Sequence, residues 1–259
     1  MNIIVCVKRV PVTQEADLEI DESNKNIHKD NLAWFINEWD NYAMEEAVLI
    51  KEKSGGTVTA VTVGNEDDEE VLRRCLAIGA DKAIRIDPGE LPPDPFGIGK
   101  ILADTLRNLE YDLILTGVQA DDNNYGMIGP LIAEHLDIPH ISVVTEIRPE
   151  GESAIVKVEL EDGIDQVLKI SLPALLTIQT GINEPRYVSI MGIRKASKKE
   201  LLIKTLDDLG ISPEEITDKI LIDNLFLPPE TEGAEMIEGN PEEAAQKIIS
   251  LIREKGVNI

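Results

Sequence analysis

Residues 113–139 read LILTGVQADDNNYGMIGPLIAEHLDIP: an apolar run, a polar stretch of Gly, Gln, Asp and Asn, and then apolar residues at helical spacing. A short continuous apolar segment is the pattern of a strand buried on both faces, which parallel sheets use. Residues 127–136 carry the 3.6-residue period of a helix, with Pro130 near its first turn. Strand connections to helices usually take ~2–6 residues, and longer ones tend to be functional. This one is longer, so the segment reads as a strand–loop–helix unit whose loop holds something. A capped, solvated loop is the plainer alternative for the same residues.

The unit repeats along the chain. Buried-type strands are expected at residues 3–7, 57–63, 83–86, 113–116 and 174–178, and helices at 41–53, 67–78 and 96–109. Strand and helix in alternation imply right-handed crossovers and a doubly wound, mostly parallel α/β sheet. Two runs of period-two alternation, SAIVKVELEDG and DQVLKISLP around Asp162-Gly163, predict an antiparallel excursion at one edge. Beyond Arg186 the periodicity fades. Residues 1–200 are therefore expected to form the nucleotide-binding domain, and residues 201–259, ending in a helix over 241–255, an arm that buries itself on another subunit.

Bulk properties exclude several functions. The 259 residues are 42% hydrophobic and carry 25 Lys plus Arg against 49 Asp plus Glu, a formal net charge of −24. Such a surface repels nucleic acid and anionic bilayers. MNIIVCVKRV at the start is too short for a spanning helix or signal core, so a cytoplasmic protein without membrane insertion is expected. Two cysteines, Cys6 and Cys75, cannot build a disulfide framework or a thiolate metal cluster.

In open parallel sheets, ligands gather at the carboxyl ends of the strands. The loop after residue 116 offers Gly117, Gln119, Asp121, Asn123 and Asn124 there, and the free N–H groups where Gly126 opens the helix can take a phosphate. Two segments face the same edge: VCVKRVPV, and VTVGNEDDEE with its Val63-Gly64 step. FINEWDNYAMEEA adds Asn37, Trp39 and Asp40 before a helix. The acidic run 66–70 opposes a helix dipole and makes phosphate there unfavourable. Gly97-Ile98-Gly99-Lys100 lacks the flanking residues of a phosphate-cradling loop, and His28, His135 and His140 lack metal spacing. No nucleophile elbow or Cys/His pair is visible. The chain reads as a nucleotide binder without bond-making machinery.

Taken together, VCVKRVP, INEWDNYAMEEAVLIKEK, VTVGNEDDEEVLRRCLAIGADKAIRI, the opening segment, VELEDGIDQVLKISLPALLTI and NEPRYVSIMGIRKASKK resemble the β subunit of electron transfer flavoproteins, in that family's order and over most of residues 1–199. The resemblance implies a heterodimer whose α subunit carries the redox-active FAD. The β subunit then holds a second nucleotide, AMP or, in electron-bifurcating members, a second FAD. It also implies an acyl-CoA-type dehydrogenase as electron donor and a downstream oxidoreductase as acceptor, with no catalytic residues of the chain's own.

By position, the implied nucleotide contacts fall on Cys6, on Asn37, Glu38, Trp39 and Asp40, and on Val63. In the long loop they fall on Gly117, Gln119, Ala120, Asp121, Asn123 and Asn124, and at the helix entry on Tyr125, Gly126, Met127 and Ile128. Trp39 matches a position near the α-subunit flavin. The family's usual Asn-Pro is Asn37-Glu38 here, and Met127-Ile128 stands where a Gln followed by Thr or Val is usual, leaving more of the phosphate binding to backbone donors. Residues 187–199 match the family's recognition loop, with Ile190 as the apolar anchor and Met191 beside it. Two other classes share the sheet: a stand-alone nucleotide-sensing module of the universal-stress type, and an adenylate-forming or hydrolytic enzyme. The first needs no partner-wrapping arm, and the second needs a base or nucleophile.

Overall fold

Asn2–Cys6 forms strand β1, buried on both faces: Ile3 and Val5 enter one core, Ile4 and Cys6 the other. Arg9–Pro11 (β2) and Trp34–Ile36 (β3) pair as a small antiparallel ribbon that leads into helix α1 (Glu38–Ser54). Strict alternation follows: β4 (Thr57–Val63), α2 (Glu69–Ile78), β5 (Lys82–Asp87), α3 (Pro95–Leu106), β6 (Leu113–Gly117) and α4 (Ile128–Leu136). A meander of β7 (His140–Glu150), β8 (Ser153–Glu159) and β9 (Asp165–Ser171) precedes β10 (Ala174–Ile178). α5 (Ile190–Ala196), β11 (Leu201–Thr205), α6 (Leu206–Leu209) and α7 (Pro241–Glu254) complete the order. The structure is a computed structural model and describes residues 1–14, 16–89, 94–229, 233–234 and 236–257.

The nine-stranded sheet runs β11-β5-β4-β1-β6-β10-β7-β8-β9, parallel from β11 to β7 and antiparallel only at β8 and β9. This is the doubly wound, mostly parallel architecture read from the alternation, with the antiparallel excursion where the Asp162-Gly163 turn put it. One face packs on α1 and α2 through Met44, Ala47, Leu72 and Cys75; the other packs on α3 and α4 through Ile101, Leu106 and Ile132. Each such Leu or Ile contributes roughly 1.5–3 kcal/mol by leaving water, so the layers fix the strand ends firmly.

Three elements differ from the sequence reading. β7 is a strand of 11 residues with no single burial period, because its first half pairs with β10, a bulge follows, and its second half pairs with β8. β11 is an edge strand with no buried residue, held to β5 by backbone pairing that leaves no mark on the side-chain pattern. Residues 187–199, read without periodicity, contain the short helix α5.

The chain divides into Met1–Asp223 and Asn224–Ile259 rather than at residue 200. Residues 201–223 belong with the sheet because β11 completes it and Ile211 and Ile216 bury themselves in the α3/α4 core. Within the second unit, α7 is closed by an Asn240 capping box with Pro241 in its first turn, and none of its residues is buried. Of the arm expected over 201–259, residues 230–232, 235, 258 and 259 lie outside the described residues.

Candidate nucleotide site and docking surface

From β1 the sheet grows outward through β4 and β5, then the chain crosses back and resumes at β6 on the other side. Strand order reverses between β1 and β6, the place where open α/β sheets form ligand crevices. A cavity of about 590 Å³ opens there, lined by Cys6 at the end of β1, Val63 at the end of β4 and Gly117 at the end of β6. The loop after β6 adds Gln119, Ala120, Asn123 and Tyr125, and Gly126, Met127 and Ile128 close it at the start of α4. That size and a largely apolar wall with a few polar groups suit a small organic ligand.

The long loop is held from outside by the chain that enters α1. Asn37 Nδ2 donates to the Gln119 carbonyl at 2.7 Å, and Asn37 Oδ1 accepts from the Asp121 N–H at 3.1 Å. Asp40 accepts from the backbone N–H of Lys8 at 2.8 Å and of Gly117 at 3.0 Å, so one buried carboxylate ties β1 to β6. Burial pushes the Asp40 carboxyl up to about 7, against the opposing pull of Asn37 and the two backbone donors. Gly117 is required by close approach: a Cβ there would collide with Asp40 Oδ1 and with Trp39 Cβ. Outside the brace, the Lys8 ammonium pairs with Asp122 at 2.6 Å.

Asn37 and Asp40, expected as ligand contacts, thus line the cavity while their polar atoms organise the protein itself. Glu38, Trp39, Asp121 and Asn124 do not line it. Glu38 is exposed on α1, the Trp39 indole N–H donates to Gln179 Oε1 at 2.9 Å, the Asp121 N–H serves Asn37, and the Asn124 N–H closes a turn onto Ala120. Burial, and then the Asp40 charge, push the Cys6 thiol up, so it remains a neutral wall atom.

The helix starts along this edge differ. At α2, Asn65 and Asp68 form a capping box, and Glu66, Asp67 and Asp68 crowd the turn before it. α3 is capped by Asp94, which accepts from the Gly97 N–H. α4 has no side-chain cap at Met127 and no acidic residue in its first turn. Its first N–H groups lack intrahelical partners, and the dipole adds positive potential. Gly129 seats this turn on the sheet, since a Cβ would strike Thr177 Cγ2 and come within 2.9 Å of Thr116 Oγ1. An uncapped helix start beside Gly126, facing a cavity of this size, fits an adenine nucleotide phosphate.

Sequence reading missed the far wall, made by Asp94, Pro95, Ile98 and Leu102 with Asp218 and residues 220–222. Asp94 builds it by accepting also from the N–H groups of Lys219 at 2.7 Å and Ile220 at 2.8 Å. The Asp94-Pro95 pair signals a helix start in sequence, but nothing in sequence links it to a segment more than 120 positions away. Lys8, Lys25 and Asn26 also reach the cavity.

A second surface lies around α5. Arg186 holds its approach: the guanidinium bonds Glu45, which is buried, and Glu52, with Nη2 to Glu45 Oε1 at 2.9 Å and Nη1 to Glu52 Oε1 at 2.8 Å. Asn183 Nδ2 donates to the Tyr42 carbonyl and to Glu46, whose carboxyl burial pushes up. Arg73 of α2 reaches the carbonyls of Ala196 and Lys199, while the Lys199 ammonium reaches those of Leu76 at 3.0 Å and Ala80 at 2.6 Å. The end of α5 is thereby tied to Arg73 of α2, and the end of α2 to Lys199 in the turn after α5. Ile190 and Met191, the expected anchor and its neighbour, stand 77% and 67% exposed on this fixed base.

Among the described residues no group of three or more His, Cys, Asp or Glu could hold a metal ion, and no helix is long and apolar enough to cross a membrane. Residues 26–209 match the electron transfer flavoprotein domain family. The chain is 41% identical to the electron transfer flavoprotein subunit beta of Bacillus subtilis (strain 168), with 98% of each chain covered. It is 37% identical to the subunit of the same name from Methylophilus methylotrophus, with 98% of each covered. It is also 34% identical to the caffeyl-CoA reductase-Etf complex subunit CarD of Acetobacterium woodii, covering 99% of this chain and 100% of that one.

Proposed function

Because this chain belongs to the electron transfer flavoprotein β-subunit family, we propose that it works as one half of a cytoplasmic heterodimer, holding AMP in the cavity at the β1/β6 switch point. The heterodimer takes electrons from an acyl-CoA-type dehydrogenase and hands them to a downstream oxidoreductase. The observation that carries the nucleotide reading is the uncapped, acid-free start of α4 facing a cavity of about 590 Å³. Backbone donors of Gly126, Met127 and Ile128 take the phosphate, and Cys6, Val63 and Gly117 wall the nucleoside side. FAD on the α subunit supplies the redox chemistry when bound. This chain orients and shields, as protein does around a cofactor, and contributes no catalytic residue of its own. The C-terminal arm packs on the α subunit, and the exposed Ile248 and Ile249 of α7 give it apolar side chains for that contact.

A second reading places a second FAD in the same cavity. Its support is the apolar lining that Ile98, Leu102, Leu221 and Ile222 contribute to the cavity. One experiment separates the two. The purified heterodimer is denatured and the released nucleotides are counted. One FAD with one AMP per pair supports the carrier with AMP, and two FAD supports the second reading. A pair that keeps its flavin but releases nothing else removes the cavity assignment.

A further inference from the structure

We infer that Asp94 is a positioning residue that sets how fast ligand enters and leaves the β1/β6 cavity, by clasping residues 218–222 as a wall that swings away without disturbing the sheet. This rests on the nucleotide reading of the cavity and adds the route of exchange and the residue that controls it. Most of the lining is fixed. The ends of β1, β4 and β6 and the starts of α3 and α4 belong to the packed layers, and the loop after β6 is braced by Asn37 and Asp40. Residues 19–28, which bring Lys25 and Asn26 to the cavity, close on themselves through backbone bonds from Asp21 to Asn26 and from His28 to Glu19.

Residues 218–222 are held differently. Just upstream, Ile216 is buried in the α3/α4 core and Glu215 pairs with Lys100 of α3 at 3.5 Å, which pins the segment at its root. Beyond that root, Asp94 Oδ2 accepts from the N–H groups of Lys219 at 2.7 Å and Ile220 at 2.8 Å, and the Asp94 N–H donates to Asp218 Oδ1 at 3.2 Å. Among the described residues no other hydrogen bond or ion pair joins 218–222 to the rest of the chain. Leu221 and Ile222 line the cavity yet stand 80% and 42% exposed, so little apolar burial opposes their removal. Against its partial burial, the backbone donors hold the Asp94 carboxyl below its usual value, so it accepts as an anion. Bonds of that kind are strong, and the wall opens only when they break together. A gate that makes few contacts with the ligand changes entry and exit by the same factor and leaves affinity alone. Asp94 Oδ1 meanwhile caps α3 by accepting from the Gly97 N–H at 3.0 Å. The two duties fall on different oxygens and can be separated.

The test times AMP exchange. The purified heterodimer is loaded with radiolabelled AMP and chased with excess unlabelled AMP for the exit rate, and uptake by nucleotide-stripped heterodimer gives the entry rate. Asp94→Asn keeps one acceptor oxygen for the α3 cap, where Asn serves about as well as Asp, and turns an amide NH2 toward Lys219 and Ile220. Both rates should rise about tenfold, with affinity and melting temperature as in wild type. Asp218→Ala, which removes only the acceptor for the Asp94 N–H, should raise both rates about threefold. Faster exit with unchanged entry would make Asp94 a ligand contact and overturn the gate. Wild-type rates in both variants overturn it too, while AMP binding by the wild type leaves the nucleotide reading standing. Should Asp94→Asn melt early, the Asp218→Ala rates decide: raised in both directions they support the gate, unchanged they overturn it. A wild-type heterodimer that takes up no AMP removes the AMP reading, and the inference with it.

Discussion

Two helix starts at the same edge of one sheet have opposite chemistry. α2 begins after a short β4 connection, carries Glu66, Asp67 and Asp68, and satisfies its own N–H groups through Asn65 and Asp68. α4 begins after the long β6 connection, has neither cap nor acid, and sits on a cavity. The loop before α4 is held by side chains from elsewhere, Asn37 and Asp40, whereas the turn before α2 is held by residues within it. A helix start that completes itself stabilises the fold. One left open and braced from a distance leaves its donors without a side-chain partner beside the cavity.

The sharpest way to break this contrast is to give α4 what α2 has. Met127→Asp should cap the helix and stabilise the protein by about 0.5–1 kcal/mol. It should also weaken nucleotide binding by about 3 kcal/mol, roughly a hundredfold, because a carboxylate then faces the phosphate. Calorimetric titration of the nucleotide-stripped heterodimer with AMP measures the second effect and thermal unfolding the first. A variant that loses stability and binding together would show only a damaged loop.

Next in size is the brace. Asp40 has an unfolded-state value of 3.8 and is pushed up to about 7 by burial, so folding takes up a proton between those values. Its contribution to stability is therefore greatest at the acid end of that window and declines as pH rises through it. Urea unfolding from pH 4 to pH 7 should show wild-type stability falling more steeply with pH than that of Asp40→Asn, by about 1 kcal/mol per pH unit. Parallel slopes would mean that Asp40 is ionised throughout. The smallest effect belongs to α2: Asn65→Ala should cost about 1 kcal/mol of stability and leave AMP affinity unchanged, and a change in affinity would show that the two helix starts are not independent.

Much of the fold was legible because buried parallel strands and amphipathic helices carry their own periodicity. β4 and β10 fall where continuous apolar runs put them, and the hairpin of β8 and β9 where Asp162-Gly163 put it. β11 was not legible, since an edge strand held by main-chain bonds needs no side-chain pattern. β7 was not, because a bulge switches its partner midway. For the cavity, the ends of β1, β4 and β6 and the loop at Gly117–Ile128 were readable as a ligand-facing edge, but the far wall was not.

The amino-acid sequence by itself determined the layers, the family and the strand ends at which the cavity opens, because these depend on local periodicity and on residues adjacent in the chain. Tertiary structure decided the division of labour at that edge: that Asn37 and Asp40 hold the loop, that Asp94 recruits residues 218–222 as a wall, and that α4 stays open. Those outcomes depend on which donors and acceptors meet across separations of 77 to 126 positions, and no local pattern encodes such pairings.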